Sequence, residues 1–155
     1  MNCRSIKDSN GIDLVRKDNL FMVSMSIVYS GEKHCQLTHG PSQSMIETDA
    51  PKDNQGRGEK FSPTDLMGAA LGSCILTTMA IVAERDEVSL VGVRAEVVKE
   101  MLAQPRRIGA LRTKIYLPNQ IPQSYRAKLE NAAHHCPVHK SLHSEVEASL
   151  TFIYE

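Results

Sequence analysis

Residues 62–83 read SPTDLMGAALGSCILTTMAIVA, and the way this stretch folds decides the architecture. Its first residues carry helix-start chemistry. Ser62 suits an N-cap, and Asp65 falls where a capping box places its acid. Pro63 fits the first helical position, where the N–H it lacks would be unpaired anyway. From Leu66 to Ala83 no side chain is charged, so by length alone the stretch is a candidate membrane span. Against that, Gly68, Gly72, Ser73, Thr77 and Thr78 dilute its hydrophobicity, the run is marginal in length, and its flanks pattern as an α+β globule. The reading is a core helix, apolar on all faces, with no membrane partner. The Gly68-x-x-x-Gly72 spacing lets the backbone of another helix or a sheet come close.

Upstream of this helix the chain looks rich in strands. GIDLVRK and NLFMVSMSIVYS are apolar, β-branched runs broken at Lys17-Asp18-Asn19. EKHCQLTHG and SQSMIETD follow, and the polar loop APKDNQGRGEKF leads to Ser62. Downstream, VSLVGVRAEVVKEML and IGALRTKIYLP alternate as strands, joined by a turn at AQPRR. PQSYRAKLENAAHH has helical spacing, and EVEASLTFIYE closes as a strand. Strands, long helix, two strands, helix and strand make an α+β chain with helices on antiparallel sheets, read as a single domain over residues 1–155.

Apolar residues make up 41% and charged residues 23%, which fits a globular protein. Lys plus Arg and Asp plus Glu both number 18, for a net charge of zero. That argues against nucleic acid or an acidic membrane as partner, since either would call for a basic surplus. The adjacent Arg106 and Arg107 fit a solvated hairpin turn. The first residues show no apolar signal region, so the expected compartment is the reducing cytoplasm. There, Cys3, Cys35, Cys74 and Cys136 read as core or redox-active thiols and not as a structural disulfide framework.

Residues 134–143, HHCPVHKSLH, gather four of the six histidines around Cys136. On one continuous helix, His135, His139 and His143 would share a face and suggest zinc. Pro137 interrupts that helix by removing an N–H and restricting Cys136. The expected geometry is a helix, a break at Cys136, and a short new helix starting at Pro137. No metal is then expected, because only Cys136 and His139 keep a convincing local spacing. A cysteine at a helix N-cap faces free N–H groups and the positive end of the dipole, which favours thiolate. Cys74 lies about three turns into the long helix, beyond the reach of that dipole.

SPTDLMGAALGSC followed 62 residues later by CPVHKSL resembles the OsmC/Ohr family of thiol-dependent hydroperoxide reductases, with the likeness running from about Gly40 to the C-terminus. The resemblance implies an intertwined α+β homodimer with paired central helices and active sites at the subunit interface. It implies that Cys74 attacks a hydroperoxide and becomes a sulfenic acid, that Cys136 resolves it to a disulfide, and that a dithiol reductant closes the cycle without a cofactor. Cys3 and Cys35 would stay free. The family places a glutamate directly after the helix-start proline and an arginine shortly before the helix. Here Thr64 stands at the first place, Glu47 and Asp49 lie on the preceding strand, and Arg57 is the nearest arginine. Without the glutamate's charge, slow turnover is expected. The competing readings are a dimeric redox-responsive or small-molecule-binding protein without enzymatic activity, and a zinc protein using Cys136 and the histidines.

Overall fold

The computed structural model describes the backbone of residues 4–7, 13–16 and 22–155, with side chains from Met22 onward. The chain divides into two compact units, Met1–Pro63 and Thr64–Glu155.

In the first unit, β1 (Arg4–Lys7) and β2 (Asp13–Arg16) form an antiparallel pair. A strand is expected from the sequence around β2 but not at β1, which lies in a polar stretch. β3 (Met25–Gly31), β4 (His34–His39) and β5 (Met45–Asp49) form an antiparallel sheet in that order. The β3–β4 turn passes through Gly31, Glu32 and Lys33, all at positive φ. Ile27, Leu37 and Ile46 align across the three strands. Ile27 and Ile46 are more than half exposed, so the sheet presents an apolar surface to solvent. The loop after β5 is pinned by Asp49. One carboxylate oxygen meets His34 Nδ1 at 2.7 Å, and the other accepts the N–H groups of Glu59 and Lys60 at 3.1 Å each. Gly56 has to be glycine, because a Cβ there would run into the Ala50 carbonyl.

α1 (Pro63–Glu84) begins at the expected proline and leads through the second unit. β6 (Arg94–Ala103) and β7 (Arg106–Leu117) pair antiparallel. α2 (Gln123–His134) and α3 (Pro137–Ser141) follow, then β8 (Leu150–Tyr154). β8 lies beside β7 and runs parallel to it, which corrects the all-antiparallel expectation. The physical reason is the crossover: α2 and α3 carry the chain back to the end where β7 began, as parallel pairing demands. β7 includes Arg106 and Arg107, and the Arg107 guanidinium pairs with Glu145 at 3.0 Å.

One stripe of α1 is buried: Gly68, Leu71, Gly72, Ile75, Met79 and Ala83. The two glycines face β6, where a Cβ on either would touch Val97. The close neighbour is therefore a strand. Leu71, Ile75 and Met79 meet Leu111, Ile115 and Leu117 of β7, Leu129 and Ala133 of α2, and Cys136, all at most 1% exposed. Each large aliphatic side chain so buried is worth about 1.5–3 kcal/mol. The opposite stripe is open, with Ser73 and Thr77 exposed and Met67 and Ile81 at 43% and 48%. The helix is apolar on all faces, as expected, but within one chain it is buried along one stripe, because one three-stranded sheet can cover only one side of a helix. α1 is long and apolar enough to cross a membrane, but its glycine stripe is committed to sheet packing.

Candidate active site

Cys74 sits midway along α1, half-buried, and Thr78 Oγ1 donates to its carbonyl at 2.8 Å. Cys136 is completely buried, in the junction between α2 and α3. The junction forms because Pro137 cannot continue α2. The N–H of Cys136 closes the last turn on Ala133 at 3.2 Å, and its carbonyl accepts the first α3 bond from Lys140 at 3.1 Å. Cys136 is thus the N-cap of α3. The fold brings the two cysteines into one cluster: Cys74 packs against the buried core that contains Cys136, near enough to act on the Cys136 thiol.

Burial, and then the contact with Cys74, push the Cys136 thiol above its ordinary pKa. The N–H groups of His139 and Val138 face the sulfur and favour its charge, but no side-chain cap bond closes. The expected thiolate at the N-cap is therefore corrected. A five-residue helix aims too few N–H groups at the sulfur to offset complete removal from water.

The histidines divide as Pro137 requires. His134 ends α2 and His135 caps it, with Nδ1 donating to the Asn131 carbonyl at 2.7 Å. His139 lies on α3 with Nε2 on the Ala148 carbonyl at 3.1 Å, and His143 is exposed beyond α3. Among the described residues, no three His, Cys, Asp or Glu side chains are placed to hold a metal ion.

The start of α1 holds a group that the sequence reading missed. Lys99 Nζ donates to Thr64 Oγ1 at 2.8 Å and pairs with Asp65 Oδ1 at 2.5 Å. The Lys99 side chain is only 19% exposed. Its signal was present in the alternation of β6: Ala95, Val97 and Lys99 share the inward-facing side of the strand, so a charged residue stands where an apolar one is expected. The Thr64 hydroxyl accepts one bond, as its chemistry allows, and the carboxylate of this cluster is supplied one residue later by Asp65.

Arg57 and Glu47 belong to the first unit and have partners there. Arg57 pairs with Glu32, and Glu47 pairs with Lys60 at 3.1 Å. Bonding and charge from Lys60 lower the Glu47 carboxyl, and bonding from His34 lowers Asp49. Cys35 is a free thiol on β4, paired in register with Tyr29 and Thr48. Cys3 lies outside the described residues.

Residues 56–151 match the family model described as OsmC-like protein. No curated protein matches the sequence. Among solved structures, one from Psychrobacter arcticus 273-4, described as an osmotic stress induced and detoxification response protein, is 37% identical. The match covers 84% of this chain and 96% of that one, with a TM-score of 0.81. The organic hydroperoxide resistance protein OsmC of Legionella pneumophila is 18% identical, with 88% and 99% covered and a TM-score of 0.68. OhrB of Bacillus subtilis, an organic hydroperoxide resistance protein, is 17% identical, with 85% and 98% covered and a TM-score of 0.60. At these lower identities the likeness is one of fold. The family match spans α1, the Cys74 region and the Cys-Pro junction together, and on that evidence the chain belongs to the OsmC-like protein family.

Proposed function

We propose that this protein reduces organic hydroperoxides, or a related electrophile, through the Cys74/Cys136 pair, acting in the cytoplasm as a homodimer. The observation that carries this reading is the meeting of two cysteines 62 residues apart in sequence, one half-open to solvent and one sealed in the core. Burial keeps the proton on Cys136, so the attacking role falls to Cys74. The Cys74 thiolate attacks one peroxide oxygen and the O–O bond breaks. The alkoxide leaves and takes a proton to become the alcohol, while Cys74 becomes a sulfenic acid. Cys136 then attacks the Cys74 sulfur and gives up its proton, and the sulfenic oxygen departs as water. A dithiol reductant exchanges with the resulting disulfide, restoring both thiols as it is itself oxidised. The scheme uses no metal or organic cofactor.

The open stripe of α1 and the uncovered apolar surface of the β3–β5 sheet support the dimer, since both call for a partner. The names of the Legionella and Bacillus relatives support the substrate class. The test is reductant-coupled turnover of cumene hydroperoxide by the wild type, Cys74→Ser and Cys136→Ser. Cys74→Ser is expected to abolish turnover, and Cys136→Ser to consume about one equivalent of peroxide and stop. Wild type that consumes no peroxide would remove the enzymatic reading and leave the redox-responsive or small-molecule-binding one. Cys74→Ser turning over at the wild-type rate would remove Cys74.

A further inference from the structure

We propose that His139 is the positioning residue for Cys136: by donating Nε2–H to the Ala148 carbonyl and standing edge-on to His134, it holds α3 so that the buried thiol stays in reach of Cys74. The inference deepens the redox-pair reading and rests on it.

The need for such a tether follows from the size of α3. Five residues make less than two turns, too few for a helix to hold its own shape. A disulfide tolerates little misplacement, with Cβ atoms required within about 3.5–4.5 Å of one another. The thiol at the N-cap can therefore be no better placed than the short helix it begins. Val138 and Leu142 pack against the core, but apolar contact has no direction. The Ser141 hydroxyl donates back to Pro137 inside α3. Among the described residues, His139 is the α3 side chain with a directional bond outside that helix.

The geometry of that bond is specific. A carbonyl can only accept, so Nε2 carries the proton and the tautomer is set. The bond ties α3 to the segment entering β8. The ring meets His134 at 6.0 Å between centroids and 89° between planes. His134 in turn packs on Phe152 of β8 at 6.1 Å. His139 thus ties the cysteine junction to the helix before it and to the strand after it.

The experiment equilibrates the full-length protein in glutathione redox buffers and quantifies the Cys74–Cys136 disulfide by mass spectrometry, without peroxide. His139→Ala is expected to lower the equilibrium constant for disulfide formation about tenfold, the scale of losing one well-placed hydrogen bond. His139→Gln, whose amide N–H can reach the same carbonyl, is expected to restore most of it, and His143→Ala to match the wild type. Where His139→Ala fails to fold, His139→Phe keeps the ring, loses the donor, and carries the comparison with His139→Gln. A wild-type constant in the Ala or Phe variant would overturn the assignment, as would a Gln variant as weak as either. If the wild type forms the disulfide but turns over no hydroperoxide, the proposed activity fails and the role of His139 stands. If it forms no Cys74–Cys136 disulfide in any buffer, both fail.

Discussion

The contact between α1 and β6 makes a sharp forecast, because two glycines on one stripe of one helix meet the same valine at different distances. A Cβ built on Gly68 would lie 3.5 Å from Val97 Cγ1 and 3.6 Å from Leu111 Cδ2, which is ordinary packing. A Cβ on Gly72 would lie 3.1 Å from Val97 Cγ2, which is too close without movement. Replacing a helical glycine by alanine contributes about 1 kcal/mol through the backbone alone. At position 68 the added methyl also gains burial of up to about 0.8 kcal/mol. Gly68→Ala should therefore stabilise the protein by roughly 1–2 kcal/mol and raise the melting temperature by a few degrees. At position 72 overpacking costs about 1–3 kcal/mol, so Gly72→Ala should range from neutral to about 2 kcal/mol destabilising. Trimming the obstacle with Val97→Ala should make Gly72→Ala favourable again, and the pair should be non-additive by about 1 kcal/mol. Urea unfolding of the reduced proteins, at one fixed concentration so that association does not confound the comparison, reads all of these. Equal effects at the two glycines, or a loss above about 1 kcal/mol in Gly68→Ala, would show that α1 does not pack on β6 in this register.

Three further outcomes follow from the same geometry. In the reduced protein iodoacetamide should modify Cys74 well before Cys136, whose thiol is buried and raised; labelling of Cys136 first, by mass mapping, would contradict the core placement. Light scattering at micromolar concentration should give a dimer, and a monomer would leave the open stripe of α1 without its explanation. Asp86 accepts from Lys128 and from Tyr125, and bonding to these, Lys128 first, lowers its carboxyl. A lowered folded-state pKa stabilises above the unfolded value of about 4, and that contribution fades as pH falls through the folded value. Asp86→Asn should therefore lose stability at pH 7 and converge on the wild type in acid, while a penalty constant down to pH 2 would sink the ion-pair account. Tyr125, raised to about 12 chiefly by burial, remains a donor over that whole range.

The parts of the fold that could be read in the sequence are those set by local chemistry. Pro63 after Ser62 marked where α1 begins, and Pro137 marked where α2 cannot continue; both act through a missing N–H, whatever surrounds them. The hydropathy of residues 66–83 also announced a helix, but not how much of it this chain covers. Burial is a property of neighbours, and the sheet that α1 lies on is built from strands that all come later in the chain, the last of them at Leu150–Tyr154. The direction of β8 was hidden for a similar reason. Its residues suit a strand of either polarity, and only the crossover through α2 and α3 makes it parallel to β7.

At the site, the same division explains which residues were found and which were missed. Cys136 stood out on its Cys-Pro break, and Cys74 only through the resemblance carried by the two motifs together, 62 residues apart. The state of Cys136 did not, since its cap position argues for a thiolate and only the surrounding core reverses the sign. Lys99 is the converse case. The alternation of β6 marks its inward position, but nothing beside it in sequence names its partners, and the fold brings this mostly buried ammonium onto Thr64 and Asp65, 35 and 34 positions upstream. An unpaired ammonium in that position would lose much of its hydration, so Asp65 serves to neutralise it, and the Thr64 hydroxyl fills a second donor site. The carboxylate at the start of α1 is thus present but engaged, anchoring the first turn of the helix to the strand beneath it. Lys99 and Val97 fasten the same helix at its start and along its glycine stripe, on the side of β6 that faces it.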